Sequence, residues 1–486
     1  MPELTHTPDW VKNAIFYQIF PDRFAKSDSI EKPTHIEPWD SPQTRLGFKG
    51  GDLQGVYEKL DYLQDLGINA IYFNPVFAST ANHRYHPYDY YQIDPILGGN
   101  GVFFNLLEEA HRRDIRIILD GVFNHASRGF FQFNHILENG EKSPYLDWFS
   151  VYGFPMNAYQ GKPNYSAWWN LPALPQFNTD NPQVRGFLFE VAKHWIEQGV
   201  DGWRLDVPFE IRDESFWRQF RTATKMPNKD AYLVGEIPSE AQDWLQGDMF
   251  DGVMNYQFTA ACVGFFGVGS RDEAMISGMM GLPEVPLLDA AGFARRTKEL
   301  LEIYPRQNSL AQLNLMDSHD MPRFLSMVSG NTTAFRLATL FQMTYPGAPC
   351  IYYGNEIGMM GGRDPENRAP FPWDESRWDH DLRKAIKTYA HIRLENPVLR
   401  TGEYVPIFTE RRRLAFIRHL EGQRMLVAIN AGDGEWDLNL PVNSHLEEGT
   451  MFEDLLGGDG AVIESGHLRK CVLPPHEGAI FKPENA

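Results

Sequence analysis

"GWRLDVPFE" (202–210) reads as a β-strand that ends in a reaction site. Side chains alternate at period two, so Trp203, Leu205 and Val207 share one face while Arg204 and Asp206 share the other. Charges on the inner face of an apolar run are costly unless paired, so this face carries either a buried ion pair or chemistry. Seven further β-branched or aromatic runs surround it: "AIFYQIF" (14–20), "AIYFNPV" (70–76), "IRIILDGV" (115–122), "AYLVGEI" (231–237), "GVMNY" (252–256), "LAQLNLMD" (310–317) and "CIYYGNE" (350–356). Amphipathic stretches separate them, the pattern of a (β/α)8 TIM barrel. In "LQGVYEKLDYLQDLG" (53–67) Leu53, Val56, Leu60, Leu63 and Leu66 recur at helical spacing and Gly67 ends the run. "NPQVRGFLFEVAKHWIEQG" (181–199) places Asn181 and Pro182 at cap and first-turn positions.

One connection breaks the rhythm. Residues 121–178, rich in aromatics, Asn, Gly and Pro, are too long for an idle loop and are expected to form an inserted subdomain after strand 3. The barrel then comprises 1–120 and 179–396. From 397 to 486 short alternating runs such as "RLAFIRHL" and "RMLVAINA" predict an antiparallel C-terminal β-sandwich.

The 486 residues are 43% hydrophobic, enough to bury a barrel core, and 45 Lys+Arg against 64 Asp+Glu give a net charge of −19. That excess of negative charge argues against nucleic acid or an anionic membrane as partner. Cys262, Cys350 and Cys471 are few, odd in number and far apart, which suggests neither a disulfide framework nor a cysteine metal site. The first residues carry no signal-peptide pattern and no apolar run is long enough to span a bilayer, so a cytoplasmic location is expected.

In such barrels the reactive groups sit where strands end, on the open C-terminal rim. Asp120, Asn124 and His125 follow the third strand, Arg204 and Asp206 the fourth, Glu236 the fifth, and His319 and Asp320 the seventh. Each alone has an ordinary structural explanation, such as a helix cap or a hydrogen-bonded histidine. Together they converge on one pocket. A metal hydrolase would fit His125, Asp206 and Asp320, but no HxH or HExxH pairing is present. "GNEIGMMGG" (354–362), with its acidic Glu356, is a poor phosphate cradle. Glycosyl transfer fits best, because it needs one ionised carboxylate and one protonated carboxyl about 5 to 5.5 Å apart when configuration is retained. Arg204 is expected to keep Asp206 charged, and Glu236, flanked by Val234 and Ile237, to be held protonated by its surroundings.

At these residues the sequence resembles the α-amylase superfamily of glycoside hydrolases. "DGVFNH" (120–125), "GWRLDVPFE", "VGEIPSEA" (234–241) and "MDSHD" (316–320) match its four recognition blocks in order. "LPQFNTDNP" (174–182) is similar to a fifth block of the neopullulanase, cyclomaltodextrinase and maltogenic amylase branch. The resemblance implies Asp206 as nucleophile, Glu236 as acid/base and Asp320 as the carboxylate that binds sugar hydroxyls. It implies substrate contacts from Arg204, His125, His319 and Tyr85, the last stacking under the ring at the cleavage point, while Asp364 and Arg368 in "GGRDPENR" (361–368) hold the next sugar. The implied activity is retaining hydrolysis of α-1,4 bonds in short or cyclic maltodextrins, with α-1,6 cleavage left open. A glucosyltransferase or isomerase using the same site, and a non-catalytic carbohydrate-binding relative, are the alternatives.

The sequence departs from that branch in four respects. With the first barrel strand beginning near Ala14, the branch's amino-terminal β-domain is not expected, and a monomer or a dimer built through another surface is expected. His86 follows Tyr85 where the branch has Asp. Pro238 stands where a tryptophan usually follows Gly-Glu-Ile. No cofactor is expected to be required. At the position of the branch's calcium ion, Asp28, Gly50 and Asp52 persist, but Lys26 and Lys32 stand where oxygen ligands belong, and an ammonium cannot ligate a cation. A lysine ammonium, that of Lys26 first, is expected to take the ion's place.

Overall fold

The computed structural model describes residues 6–278, 285–442, 446–469 and 471–484. Eight parallel strands lie where the sequence places them: β1 Phe16–Ile19, β2 Ala70–Phe73, β3 Arg116–Gly121, β4 Gly202–Leu205, β5 Tyr232–Gly235, β6 Gly252–Val253, β7 Leu313–Leu315 and β8 Ala348–Tyr352. Hydrogen bonding runs continuously in the order β6-β5-β4-β3-β2-β1-β8-β7. A parallel bridge between Met254 and Leu313 joins the two ends and closes the barrel. Strands buried along their whole length are what a sheet covered on both faces requires.

Register decides where the chemistry falls. Asp120 pairs with Arg204, and Leu205 pairs with both Gly121 and Gly235. The ladder continues one step further, with Asp206 N bonded to Gly121 O at 3.1 Å and Glu236 N to Leu205 O at 3.0 Å. Asp206 and Glu236 therefore occupy equivalent positions on neighbouring strands, whose axes lie about 4.8 Å apart.

The helical segment 53–67 is two helices, Leu53–Glu58 and Leu60–Leu66, rather than one. The break falls at Lys59, whose φ of −107° leaves the helical region, and Gly67 closes the second piece at φ 90°. The later helix, Pro182–Glu197, is capped by the Asn181 side chain as expected. The aromatic run after β2 is not a plain loop: Phe77–Ser79 and Pro87–Ile93 pair as a hairpin that holds Tyr85 at its turn. Within the insertion, Phe130, Phe133, Phe149, Tyr165 and Phe177 form an aromatic core continuous with the barrel. An isolated bridge between His125 and Gln176 ties its end to the rim.

The C-terminal strands form one antiparallel eight-stranded sheet with a separate two-stranded ribbon, Trp436–Asp437 against Val472–Leu473. Early residues Ile417 and Leu426 share one core with late residues Leu440, Ile463 and Leu468. The sandwich-like packing is thus made by the curling sheet together with the ribbon, whose Trp436 and Leu473 lie in the same core.

Candidate active site

The centre of the rim is Arg204, whose side chain is fully buried. Its Nη1 lies 2.9 Å from Asp120 Oδ1 and 3.0 Å from Asp206 Oδ1, and its Nη2 lies 2.7 Å from Glu236 Oε1. One guanidinium thus faces three carboxylates. Asp120 is the organising anion: Oδ2 also accepts from Tyr72 Oη at 2.9 Å and Tyr85 Oη at 2.6 Å. Asp206, by contrast, keeps an edge open to the pocket. Immediately after it the chain turns sharply at Val207, which has φ 35° and ψ 50°. A β-branched residue in the left-handed region is strained, and such strain collects at functional sites. Here it aims the Val207 N–H at Glu236 Oε2, 3.0 Å away.

Burial sets the protonation of this pair. Glu236 is raised to about 7, chiefly by desolvation, with Arg204 pulling the other way and Asp320 adding to the rise. Asp206 is also raised, first by burial and then by the charge of Glu236, against the pull of Arg204. From the sequence, Arg204 is expected to keep Asp206 charged; its charge is divided among three partners, and burial raises Asp206 against that pull. The two carboxyls titrate as a pair.

Asp320 is held well below the usual carboxylate range; burial alone would raise it, but His319 and Arg368 outweigh that. His319 Nε2 lies 2.8 Å from Asp320 Oδ2, and its Nδ1 faces the amide nitrogens of Gln18 at 2.8 Å and Asn74 at 3.0 Å. Two donors at Nδ1 make it the acceptor, so Nε2 carries the proton toward Asp320 and toward Tyr85 Oη, 2.7 Å away. Tyr85 stacks parallel to His319 at 5.4 Å. His125 receives Asn124 Nδ2 at Nδ1 and donates from Nε2 to Tyr85 O, and burial pushes it down to about 3, so it stays a neutral donor. Arg368 Nη2 reaches Asp320 Oδ1 at 3.3 Å and Nη1 reaches Asp364 Oδ1 at 3.3 Å.

These groups line one pocket of about 400 Å³. It brings together Tyr85, His125, Asp206, Glu236, His319, Asp320, Asp364 and Arg368, with Arg204 beneath its floor. Sequence reasoning missed Gln18, Tyr72 and Asn74, although a polar residue inside "AIFYQIF" and "AIYFNPV" was the available signal. It also missed Leu46 on the pocket wall, whereas Trp168 and Trp169 stand in "AWWNLP" (167–172) and His83 in "HRYHPYDYY" (83–91), aromatic clusters that helix packing does not explain. His86, another wall residue, is pushed down to about 4 by burial and so stays neutral. Glu356 belongs elsewhere: Tyr17 and Tyr62 both donate to its Oε1 in the core.

At the expected calcium position Lys26 is exposed. The ammonium on Asp52 is that of Lys32, 2.8 Å from Oδ2 and also 2.6 Å from Ile96 O. The assignment to Lys26 is therefore corrected. Lys26 points to solvent, while the next residue, Ser27, turns in toward Asp52. Asp52 is already saturated, by Gly55 N at 2.6 Å, Ser27 N at 3.1 Å and Ser27 Oγ at 3.0 Å besides the lysine. Asp28 is exposed. These residues do not fit a calcium ion. Among the described residues, no group of three or more His, Cys, Asp or Glu side chains is arranged to hold a metal.

A closed barrel whose rim holds two buried carboxyls on one guanidinium, both raised by burial, beside neutral histidines and aromatics, suits a glycoside-bond-cleaving enzyme. Residues 18–388 match the alpha amylase catalytic domain and residues 404–482 the neopullulanase-like C-terminal domain. The chain belongs to the α-amylase family of glycoside hydrolases, in its neopullulanase-like branch. It is 44% identical to a cyclomaltodextrinase of a Bacillus species over 427 residues, 87% of this chain and 73% of that protein. The debranching enzyme of Nostoc punctiforme superposes with a TM-score of 0.90 at 44% identity, over 99% of this chain and 100% of that one. The cyclic alpha-maltosyl-(1→6)-maltose hydrolase of Arthrobacter globiformis gives 0.86 at 36% identity, over 98% and 99%.

Proposed function

We propose that the protein hydrolyses α-1,4-glucosidic bonds of short maltodextrins and cyclic dextrins by double displacement, with Asp206 as nucleophile and Glu236 as acid/base. The observation that carries this reading is the sharing of Arg204 between two carboxyls in register on adjacent strands, one of them raised to about 7. Glu236 protonates the glycosidic oxygen while Asp206 attacks the anomeric carbon. Glu236 then deprotonates the water that breaks the glycosyl ester, so the product keeps the α-configuration. Asp320, with His319 and His125, holds hydroxyls of the sugar being cleaved, and Arg368 with Asp364 orients the next unit on the retained side.

The names of two relatives support a wider linkage range: one is a debranching enzyme and another hydrolyses a ring with 1→6 bonds. We extend the proposal to α-1,6 bonds on that ground. A cytoplasmic site of action is supported by the name of a further relative, the intracellular maltogenic amylase of Bacillus subtilis, 36% identical over 471 residues, and by three buried free cysteines. The closed Lys32–Asp52 contact supports catalysis without calcium at that position.

The test is product analysis on maltotriose, a cyclodextrin and pullulan. Release of maltose and glucose supports the reading. Oligosaccharides longer than the substrate as the main products point to a transferase, and no turnover of any of the three rejects it. The pH profile carries a second test: kcat/KM falls above pH about 7, as Glu236 loses the proton it must donate.

A further inference from the structure

A continuous string of hydroxyl and amide groups runs round the rim from Asp120 to Asp320. Gln18 on β1 and Asn74 just past β2 stand in it, both fully buried. An interior glutamine or asparagine of a barrel is ordinarily a polar group hydrogen-bonded in place. These two differ, because every donor and acceptor along the string is dictated from one end.

Asp120 is that end. Its carboxylate lies against Arg204 Nη1, 2.9 Å from Oδ1 and 3.1 Å from Oδ2, and only accepts. Tyr85 spends its one hydroxyl proton on Asp120 Oδ2, 2.6 Å away. Any other group in contact with Tyr85 Oη has to donate, so Asn74 presents Nδ2 to it at 3.0 Å. That turns Asn74 Oδ1 toward Gln18, which answers with Nε2, also at 3.0 Å. The same two amide nitrogens reach His319 Nδ1, at 2.8 Å from Gln18 and 3.0 Å from Asn74. Gln18 Oε1 is left buried with no donor among the described residues, at a cost of about 1–3 kcal/mol. An amide that only filled space would not be held in that orientation.

His319 could take a proton at Nδ1 only if Gln18 and Asn74 both turned over. Asn74 Oδ1 would then face a Tyr85 oxygen that has no proton left to give. Asp320, 2.8 Å from Nε2, pulls the ring toward the cation, while burial opposes it. The other charged or titratable groups around the ring are Arg368, Arg204, Tyr85 on its face and His83.

We propose that Gln18 and Asn74 are positioning residues that carry the polarity set by Asp120 round the rim and lock His319 as the neutral tautomer with its proton on Nε2. Asp320 then receives one hydrogen bond from the ring and keeps its outer lone pairs for sugar hydroxyls. The tautomer lock stands on geometry alone; its effect on rate rests on the hydrolase reading above.

Histidine-selective 15N spectra of the full chain test the lock, with the His319 signal assigned by its loss in H319Q. At pH about 6, where a free histidine is largely protonated, wild-type His319 is expected neutral with the proton on Nε2. Y85F cuts the string at its Asp120 end and leaves both amides in place; His319 then protonates at a pH about one unit higher. Q18E sets an acceptor against Nδ1, so the ring becomes an imidazolium and kcat/KM on maltotriose falls roughly tenfold. Q18M, which fills the same space and leaves the Asn74 donor, loses only about threefold. A wild-type ring that is charged or carries its proton on Nδ1 overturns the inference, as does a Y85F titration equal to that of the wild type. Equal losses in Q18E and Q18M overturn it too, since packing would then explain both. A wild type with the expected tautomer and no hydrolysis removes the hydrolase reading and leaves the lock standing.

Discussion

Two buried carboxylates, Asp52 and Asp206, show how the same side chain is made inert or reactive. Asp52 lies at the start of a barrel helix and spends both oxygens on four donors, one of them the Lys32 ammonium. Asp206 lies at the end of β4, shares one guanidinium with two other carboxylates, and faces an open pocket. Saturation removes a carboxylate from chemistry, whereas a partial supply of positive charge leaves an anion that can still attack. The difference comes from the donors around each carboxyl rather than from burial, since both are buried.

Removing charge from the two places should therefore have opposite consequences. At the pocket, D206N and E236Q each lower kcat on maltodextrins by about 10⁴-fold, with the fold retained. Steady-state kinetics together with circular dichroism check this, and a loss below about tenfold in either variant breaks the contrast. At Asp52, the D52A variant leaves a buried ammonium without its anion and costs about 3–5 kcal/mol of stability, whereas activity per folded molecule stays at the wild-type level. Urea unfolding and active-site-normalised rates measure the two separately. If D52A is as stable as the wild type, the lysine contact is not a structural replacement for a cation.

A subtler effect sharpens the comparison. Glu236 is raised in the folded chain to about 7 from 4.5, so the native state binds more protons than the unfolded state between those values. Stability contributed by the protonated carboxyl is full at low pH and declines as pH rises through that window, a penalty of about 3 kcal/mol at pH 8. E236Q escapes it, so its melting temperature exceeds that of the wild type at pH 8 and the gap closes toward pH 4. Calorimetry across that range tests the sign; a variant less stable at pH 8 contradicts it. The smallest effect is expected from chelation: EDTA leaves both rate and melting temperature unchanged, and a fall in either that calcium restores would reject the proposed independence of calcium.

The barrel was legible because its strands are continuous apolar runs with polar residues at their ends, and strand alternation alone put Arg204 and Asp206 on one face. The carboxyls that gather at the strand ends were legible for the same reason. What alternation could not reveal was how many partners Arg204 has, since Asp120 and Glu236 reach it across strand register. Nor could it choose between Lys26 and Lys32, because that depends on how the chain folds back over Asp52. Trp168 and Trp169 stand out in the sequence as an aromatic pair, but their place on the pocket wall depends on a left-handed turn between non-glycine residues, which no local pattern announces.

The central claim is that Asp206 forms a glycosyl ester while Glu236 supplies and removes the proton. The direct test is mass spectrometry of E236Q protein incubated with α-maltosyl fluoride, a donor whose departure needs no acid. Predicted is a mass gain of one maltosyl unit, mapped by digestion to the peptide that contains Asp206. Fluoride release without any adduct and with a β-configured product, or an adduct on another residue, would contradict it.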